Sequence, residues 1–487
     1  MKIRVCVLFG GKSVEHEVSV ISALQAIASI PADKYEVIPV YITKENEFYT
    51  SFECSCIEEY ANIPALIKKS QRCVIMNVDG RAKLMRYPFK RTGNNVISEI
   101  DVAFPIVHGT NVEDGTLQGY LKFLGIPFVG CDVTASAVGM DKYIMKTVLK
   151  DNGIPVLDCL RFISSDFADP DKIMDMCEER IGYPLIVKPV NLGSSVGISL
   201  AFSRDELYAS LEEAFRYASS VLVEKAITEL MEINCSVIGN TESAEASELE
   251  QPVNFGKFLD YTAKYQRGSS MSYEEKKAMT EEVNKIVRNP VSVENVLKND
   301  PSITVSSDGR TVKKGAGAVK YDESVALKRF DPETILSMGA GMASLSRFIP
   351  PNISSETRDY IRSLAVKAFT VLGCNGLSRI DFMIDKATNT VYLNEINTIP
   401  GSLSFYLWAP LGVDYGSVLD AMIELALRRS REEESIEFSF STDLLANFAG
   451  SSGAKGTKGS KFSGSKTGGA KLSGTKGTPS KLGGSKF

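Results

Sequence analysis

Short apolar runs separated by polar loops dominate the first part of the chain. Residues 3–9 (IRVCVLF) are apolar at successive positions, which predicts a strand buried on both faces of a parallel sheet. Residues 19–30 (SVISALQAIASI) predict a helix, and residues 35–43 (YEVIPVYIT) and 100–109 (IDVAFPIVHG) predict two further strands. This order of strand, loop, helix and strand predicts an open parallel sheet in an α/β protein.

Further strands are predicted later in the chain. Residues 183–190 (YPLIVKPV) and 221–227 (VLVEKAI) predict strands on either side of a helix over residues 203–218. Residues 377–385 (LSRIDFMID) and 390–397 (TVYLNEIN) predict a hairpin with acidic side chains alternating on one face.

Two polar stretches do not fit this pattern. Residues 268–340 are rich in lysine and glutamate and contain loop signals such as DPS and SDGR. Residues 450–487 consist mostly of Gly, Ser, Thr and Lys, and from Lys461 onward the lysines recur every five residues. We expect this tail to be disordered, because it has too few apolar groups to offset the entropy of ordering. Between the two stretches, an amphipathic helix over residues 414–430 closes the predicted body.

The composition limits the class of protein. The 487 residues are 44% hydrophobic and 24% charged, which suits about three domains or one multi-lobed enzyme. No apolar run approaches the roughly 18 residues of a membrane helix, and the N-terminus lacks the layout of a signal peptide. Nine scattered cysteines predict a reduced, cytoplasmic protein. Because the net charge is −5 and the tail contributes eight lysines without an acid, residues 1–449 carry −13, which does not favour a nucleic-acid groove.

Two loops follow predicted parallel strands, where ligands bind in open α/β sheets. The first, after residues 3–9, begins with Gly10 and Gly11 and continues as KSVEHEVS, with Glu15 close to a histidine. The second contains His108 and Gly109. We therefore expect both loops at one edge of the sheet.

A third loop, KPVNLGSSVG (188–197), brings a lysine and then small residues after a predicted strand. Small residues allow backbone N–H groups to approach phosphate oxygens, and the lysine adds a positive charge. The spacing is not that of a P-loop, so the motif alone favours phosphate binding and an ordinary surface turn about equally.

The predicted hairpin places oxygen ligands together. Asp381, Glu395 and Asn397 would share one face, and their oxygen atoms suit Mg²⁺, which often combines carboxylates with substrate phosphates. The alternative is a solvated sheet face, which the apolar neighbours Ile380 and Leu393 make less favourable. The acidic segment VEKAITELMEI (223–233) is, taken alone, more typical of a charged strand end.

Together these motifs resemble the ATP-grasp fold, an α/β fold that here would carry an N-terminal open parallel-sheet domain. FPIVHGTNVEDGTLQGYLKFLGIPFVG, MDK (140–142), FLDYTAKY (258–265) and NEINTIPGSLSF, with GGKSVEHEVS, make the chain similar to the D-alanine–D-alanine ligase family. The resemblance covers residues 1–267 and about 341–430 in the expected order.

The resemblance implies roles for individual residues in ligating two D-alanine molecules through a D-alanyl phosphate. Glu15 would hold the ammonium group of the first D-alanine, and His108 would help to position it. His16 is expected to be a structural histidine. Arg379 and the N–H of Gly401 would stabilise the oxyanion, and Ser404 would contact the carboxylate of the second substrate.

The resemblance also assigns ATP, metal and lid residues. Ser194 would link Glu15 to Tyr265 of a lid, and a tyrosine there goes with D-alanine as the second substrate. Asp381, Glu395 and Asn397 would hold two Mg²⁺, for which Mn²⁺ would be able to substitute. The ATP-binding residues would be Lys142, Lys188, Ser195, Glu224, Lys225, Ile227, Glu232 and Lys264.

The implied organisation has three domains and two departures from the family. Residues 1–135 would bind substrate, 136–223 would form the central ATP-grasp subdomain, and 224–432 the C-terminal subdomain with the lid. Residues 268–340 would be an insertion, and residues 440–487 the Lys/Gly/Ser tail. Family membership would further imply a homodimer in the cytoplasm, acting on small molecules in peptidoglycan precursor synthesis, without nucleic acid or a membrane span.

Other functions stay open at this point. A D-alanine–D-serine or D-alanine–D-lactate ligase would share most of the motifs. Another ATP-grasp carboxylate–amine ligase would keep Lys188 and the metal ligands but would not need the SVEHEVS loop or Tyr265. A nucleotide-binding scaffold would be favoured by loss of a metal ligand or of Arg379, and none is lost.

Overall fold

Three β-sheets organise the described part of the chain. The computed structural model describes residues 2–193, 196–252 and 347–437. Within these ranges, the strands form sheets of seven, four and five strands. The helices are α1 (His16–Ser29), α2 (Ile63–Lys69), α3 (Thr116–Phe123), α4 (Val133–Met140), α5 (Lys142–Asp151), α6 (Pro170–Arg180), α7 (Arg204–Tyr217), α8 (Ser355–Val371) and α9 (Tyr415–Glu434).

The first sheet confirms the predicted parallel strands and extends them. Its strands are β1 (Ile3–Gly10), β2 (Tyr35–Ile42), β3 (Phe48–Thr50), β4 (Gln71–Val78), β5 (Arg81–Arg86), β6 (Val96–Glu99) and β7 (Val102–Ile106). β1 lies between β2 and β7 and is parallel to both. β3 to β6 add an antiparallel half that the sequence pattern did not predict. These strands mix buried and exposed positions, so they lack the continuous apolar run of a buried parallel strand.

The second sheet carries the predicted phosphate loop. It contains β8 (Cys159–Ile163), β9 (Leu185–Pro189), β10 (Ser199–Ala201) and β11 (Ser220–Lys225), in the order β10-β9-β11-β8. The predicted strands and the intervening helix correspond to β9, β11 and α7, and the three-residue β10 was not predicted. Ser203 begins α7 by accepting a hydrogen bond from the N–H of Glu206.

The third sheet contains the predicted hairpin. Its strands are β12 (Leu230–Gly239), β13 (Ala244–Pro252), β14 (Arg347–Phe348), β15 (Gly376–Asp385) and β16 (Thr390–Asn397), in the order β14-β13-β12-β15-β16. β15 and β16 pair directly, with Asp381 opposite Glu395 and Arg379 opposite Asn397. The hairpin prediction is therefore confirmed.

The last helix packs into the core of the first sheet. Leu419 and Ile423 of α9 are completely buried in the same apolar cluster as Val5 and Phe104 of β1 and β7. Asp414 begins α9 by accepting from the N–H of Ser417. Near the other end, Arg429 donates to the carbonyl oxygens of Phe128 and Gly130 at 2.6 and 2.8 Å. The two ends of the described chain thus share one core.

Some sequence predictions lie outside the described residues. These are the lid motif at residues 258–265, the insertion at residues 268–340 and the tail at residues 440–487. In the described ranges, no helix combines the length and apolar character that a membrane crossing requires.

Candidate active site

One cavity is lined by residues from several separate segments of the described chain. It opens between the first sheet, the phosphate loop and the third sheet. The predicted site residues that line it are Glu15, His108, Glu232, Arg379, Asp381, Glu395, Asn397 and Gly401. The other lining residues include Glu113, Gly193, Asn234, Glu250, Arg347 and Asn394, none of which was predicted.

The loop after β1 brings Glu15 into this cavity. Gly10 has φ +97°, and a Cβ there would lie 2.3 Å from the carbonyl oxygen of Ile42, so only glycine fits. Helix α1 begins directly after Glu15, whose side chain is buried. Its Oε2 atom lies 3.6 Å from the position that a Cβ on Gly193 would occupy. The first loop and the phosphate loop therefore meet at Glu15.

His16 supports the loop and does not line the cavity. Its ring is buried, with Nδ1 2.7 Å from the carbonyl oxygen of Gly11 and Nε2 3.0 Å from the hydroxyl of Tyr41. A carbonyl can only accept, so Nδ1 carries the proton and Tyr41 donates to Nε2. These contacts agree with the structural role predicted for His16.

His108 is a neutral side chain in the wall of the cavity. Nδ1 donates to the carbonyl oxygen of Ile399 at 2.6 Å, and Nε2 lies 3.0 Å from Oγ of Ser22. Because Nδ1 of the neutral ring carries the proton, Nε2 can only accept, and the hydroxyl of Ser22 donates to it. The same hydroxyl accepts from the N–H of Ser402 at 2.9 Å. Burial lowers the pKa of His108, against the opposing effect of the nearby Glu15 carboxylate. The imidazole is thus fixed in one tautomer.

Glu113 is a cavity residue that sequence reasoning missed. It accepts from the N–H of Gly109 at 2.7 Å and from the N–H of Ile399 at 3.3 Å. Burial, followed by repulsion from Glu15, raises the pKa of Glu113 to about 8. Glu113 holds the loop of His108 against the segment that leads to Gly401. The VEDG sequence in which it lies gave no separate signal for this role.

The hairpin brings the predicted metal ligands together around Arg379. Arg379 donates from Nε and Nη2 to the two oxygens of Asp381 at 2.7 and 2.8 Å. The amide of Asn397 donates to Oδ2 of Asp381 at 3.0 Å. Burial opposes the charge of Arg379, but Asp381 outweighs it and the pKa of Arg379 is raised. Its guanidinium is therefore held in one orientation in the cavity wall.

The donor set of the hairpin fits a divalent cation. Asp381 and Glu395 are directly opposite each other across the two strands, and Asn397 adds an amide on the same face. All their possible ligand atoms are oxygens, the atoms that Mg²⁺ and Mn²⁺ prefer, and all three residues line the cavity.

Lys142 reaches the metal-ligand face from helix α5. It donates to the carbonyl oxygen of Leu192 at 2.8 Å, and its Nζ lies 3.4 Å from Oε2 of Glu395. Asp141 begins α5 by accepting from the N–H groups of Tyr143 and Ile144. The predicted phosphate loop and the predicted metal ligands are therefore joined by one lysine.

Glu224 lies between two lysines and does not line the cavity. It is completely buried and accepts from Lys146 and from Lys188. Lys188 also donates to Asn394 at 3.2 Å, at the cavity wall. Burial works to raise the pKa of Glu224, but the two lysines outweigh it and hold the pKa at about 2. Glu224 thus holds Lys188 in place without lining the cavity itself.

The remaining predicted nucleotide and substrate residues differ in position. Lys225 donates to the carbonyl oxygens of Gly182 and Tyr183, on the side of β11 away from Glu224. Ile227 follows β11 and is half-buried, and neither residue lines the cavity. Ser404 is completely buried and also does not line it. Ser194, Ser195, Lys264 and Tyr265 lie outside the described residues.

Comparison with known proteins agrees with this geometry. The family described as D-ala D-ala ligase N-terminus matches residues 4–131, and that described as D-ala D-ala ligase C-terminus matches residues 148–299 and 293–424. The chain belongs to the D-alanine–D-alanine ligase family. This family consists of ATP-dependent ligases.

Two curated ligases show how much of the family architecture is present. The D-alanine–D-alanine ligase of Acetivibrio thermocellus is 34% identical over 440 residues, which cover 88% of this chain and 96% of that protein. The D-alanine–D-alanine ligase of Thermosipho melanesiensis is 31% identical over 443 residues, covering 91% and 98%. Both comparisons extend over nearly the full length of the relative.

Solved structures of ligases share the fold. The D-alanine–D-alanine ligase of Coxiella burnetii has a TM-score of 0.61 at 25% identity, and the match covers 92% of this chain and 99% of that one. The VanG D-Ala:D-Ser ligase of Enterococcus faecalis has a TM-score of 0.62 at 25% identity, covering 88% and 100%. The predicted ATP-grasp fold is confirmed, and the fold alone does not separate ligases with different second substrates.

Proposed function

We propose that this protein joins two D-alanine molecules to D-alanyl-D-alanine, with conversion of ATP to ADP and phosphate. The observation that carries the proposal is the single cavity shared by Glu15, Arg379 and the Asp381–Glu395 pair. Membership of the ligase family, and relatives that match over most of their length, support it further.

The reaction needs ATP because an oxide ion is a very poor leaving group from a carboxylate. A carboxylate oxygen of the first D-alanine takes the γ-phosphoryl group, which gives D-alanyl phosphate and ADP. The amine of the second D-alanine then attacks the acyl carbon, the new C–N bond forms, and phosphate leaves with the electron pair of the C–O bond. The attacking ammonium must lose a proton before this step.

The first substrate is bound by the loop after β1. The carboxylate of Glu15 pairs with the ammonium group of the first D-alanine. The N-terminal end of α1 favours the negative charge of Glu15. His108 contacts the substrate as a neutral imidazole, whose orientation is set by Ile399 and Ser22. Positioning of this kind accounts for a large part of the rate of two-substrate reactions.

The nucleotide is bound between the second and third sheets. Lys142 and Lys188 contact its phosphates, and Glu224 holds Lys188 in place. The proposed adenine and ribose pocket contains Glu224, Lys225, Ile227 and Glu232, with Ser195 and Lys264 as further ATP contacts. Of these, Glu232 lines the cavity.

Asp381, Glu395 and Asn397 would hold two Mg²⁺, which Mn²⁺ can replace, and the ions would neutralise phosphate charge. Arg379 and the N–H of Gly401 donate to the oxyanion that forms on the acyl carbon. Loss of one such donor costs about 10²- to 10³-fold in rate in other enzymes. Ser404, which is completely buried in the structure, would contact the carboxylate of the second D-alanine.

Water must be kept from the acyl phosphate, because acyl phosphates hydrolyse. We assign this task to a lid that carries Tyr265, which Ser194 links to Glu15. The domain boundaries would lie at residues 135 and 223. The protein would act as a homodimer in the cytoplasm, where it would serve peptidoglycan precursor synthesis.

The test measures phosphate release from ATP with Mg²⁺ and one of four substrate sets, with products identified by mass. The sets are D-alanine, L-alanine, D-alanine with D-lactate, and D-alanine with D-serine. Release that depends on D-alanine and yields D-alanyl-D-alanine as the main product supports the proposal. A main product that contains D-serine or D-lactate would make the protein a ligase of the D-Ala:D-Ser or D-Ala:D-Lac type. No release with any set would refute it.

A further inference from the structure

Three buried charged side chains join helix α5 to the second sheet. Glu224 of β11 accepts from Lys146 of α5 through Oε2 and from Lys188 of β9 through Oε1. Glu224 is opposite Ile186, two positions before Lys188, so both side chains lie on the same face of the sheet. The side chains of Lys146, Glu224 and Lys188 are 3%, 1% and 7% exposed. With one acid and two bases, this cluster carries one net positive charge.

The two lysines of the cluster face different parts of the protein. Lys188 also donates to Asn394, which lines the active-site cavity. Lys146 lines a separate cavity, together with other residues of α5 and with the segment that leads into Cys159 of β8. It does not line the active-site cavity. An effect of Lys146 on a ligand in that cavity therefore has to pass through Glu224.

Phosphate binding would change the surroundings of Glu224. A phosphate group that contacts the ammonium group of Lys188 competes with Glu224 for the same positive charge. A buried carboxylate that loses its partner is strongly unfavourable. Lys146 is bound to the other oxygen of Glu224, so it can compensate this carboxylate while Lys188 contacts phosphate.

We infer that Lys146 is a positioning residue that compensates Glu224 and so leaves the charge of Lys188 available to the phosphates of ATP. The inference rests on the proposed function, which assigns Lys188 to these phosphates. Without Lys146, Glu224 and Lys188 would form a neutral buried pair, which ATP would have to separate in order to bind. With Lys146, the net positive charge of the cluster goes to Lys188, the member next to the cavity wall.

The experiment measures the Kd for ATP with Mg²⁺ by titration calorimetry, in the full-length protein without an amino acid. The variants are Lys146→Met, Glu224→Gln and the double variant, and each is checked by its melting temperature. Lys146→Met leaves a neutral pair, whereas the double variant leaves Lys188 as a single charge beside a neutral amide. Lys150→Met is the matched control, because Lys150 also belongs to α5 and pairs with an acid, Asp158, but at the exposed surface.

In Lys146→Met we expect the Kd for ATP to rise at least tenfold, while the KM for D-alanine changes less than twofold. Adding Glu224→Gln to Lys146→Met should lower the Kd again at least threefold, because no carboxylate is left to compete for Lys188. Lys150→Met should leave the Kd unchanged. If Lys146 only anchored α5 to the sheet, Lys146→Met would lower the melting temperature and the second substitution would not restore ATP binding.

An unchanged Kd in Lys146→Met would overturn the inference, as would losses that simply multiply in the double variant. If Lys146→Met does not fold, Lys146→Gln, which also removes the charge, decides in the same way. A natural protein that does not bind ATP would overturn both the inference and the proposed function. A natural protein that binds ATP but forms no D-alanyl-D-alanine would refute the proposed function alone, and the Kd values would still decide the role of Lys146.

Discussion

Lys188 and Glu224 form an ion pair that is sealed from solvent. Glu224 also accepts from Lys146 of α5, so one buried carboxylate pairs with two ammonium groups. Only Lys188 continues to the cavity, through Asn394. The pair therefore connects the fold of the sheet to the position of the lysine that we propose binds phosphate.

Replacing Glu224 by Gln should weaken both ATP binding and the fold. Removing one partner of a buried ion pair costs about 3–5 kcal/mol, because the remaining charges are left without compensation. We expect a lower melting temperature and a KM for ATP about tenfold higher, with little change in the KM for D-alanine. Glu229→Gln, at an exposed position just before β12, is the control. An unchanged KM for ATP in a folded Glu224→Gln enzyme would contradict the role of Glu224.

The same residue predicts how stability depends on acid. The pKa of Glu224 is lowered from 4.5 to about 2, so its contribution is complete above about pH 4.5 and is lost as the pH falls towards 2. A shift of this size corresponds to about 3 kcal/mol. Chemical denaturation between pH 6 and pH 2.5 should therefore show a smaller loss of stability in Glu224→Gln than in the natural protein. Parallel curves for the two proteins would argue against the pair.

Glu113 has the opposite pH dependence. Its folded-state pKa is raised from 4.5 to about 8, so the folded protein binds a proton more tightly than the unfolded chain. This stabilisation is complete below about pH 4.5 and is lost as the pH rises through 8. Melting temperatures between pH 5 and pH 8.5 should fall less steeply in Glu113→Gln than in the natural protein. An equally steep fall in the two proteins would show that Glu113 is ionised throughout this range.

Gly10 should tolerate alanine much less well than Gly93, another glycine with positive φ. A Cβ at Gly10 would overlap the carbonyl oxygen of Ile42, whereas a Cβ at Gly93, with φ +89°, meets no atom within 4 Å. We expect Gly93→Ala to cost about 1 kcal/mol from backbone strain alone and Gly10→Ala at least about twice as much. Denaturation midpoints measure both. Equal costs would mean that the turn after β1 relaxes without loss.

Arg379→Lys tests stabilisation of the oxyanion. Lysine keeps the positive charge but cannot reproduce the two parallel hydrogen bonds to Asp381. We expect kcat to fall about 10²-fold while the KM values for ATP and D-alanine change little, because the interaction forms only in the transition state. Steady-state kinetics at saturating Mg²⁺ provides the measurement. A large rise in KM with an unchanged kcat would instead assign Arg379 to substrate binding.

The sequence predicted best those elements that are long and have one clear period. Strand β1, which is apolar on both faces, and the hairpin of β15 and β16 were predicted because their patterns are continuous. The antiparallel half of the first sheet was missed because β3 has only three residues and β4, although it has eight, mixes buried and exposed positions. The sequence pattern did not reveal that Leu419 of α9 completes the core of β1, since the contact joins residues about 400 positions apart.

The site shows a similar division. Asp381, Glu395 and Asn397 were predicted together because the period of a strand places them on one face. Glu113, Glu250 and Arg347 were missed because they reach the cavity from separate segments, and nothing in their local sequence marks them. Lys225 follows Glu224 directly but donates to carbonyl oxygens on the other side of its strand, and the motif alone did not indicate this placement.

The last helix has a consequence for how the protein is made. The core of the first sheet contains Leu419 and Ile423, and Arg429 binds the carbonyl oxygens of Phe128 and Gly130. During synthesis, the N-terminal sheet therefore leaves the ribosome with part of its core uncovered until α9 has been translated. A nascent chain released before α9 would expose that apolar surface, and an N-terminal fragment would need α9 supplied separately to reach its native packing.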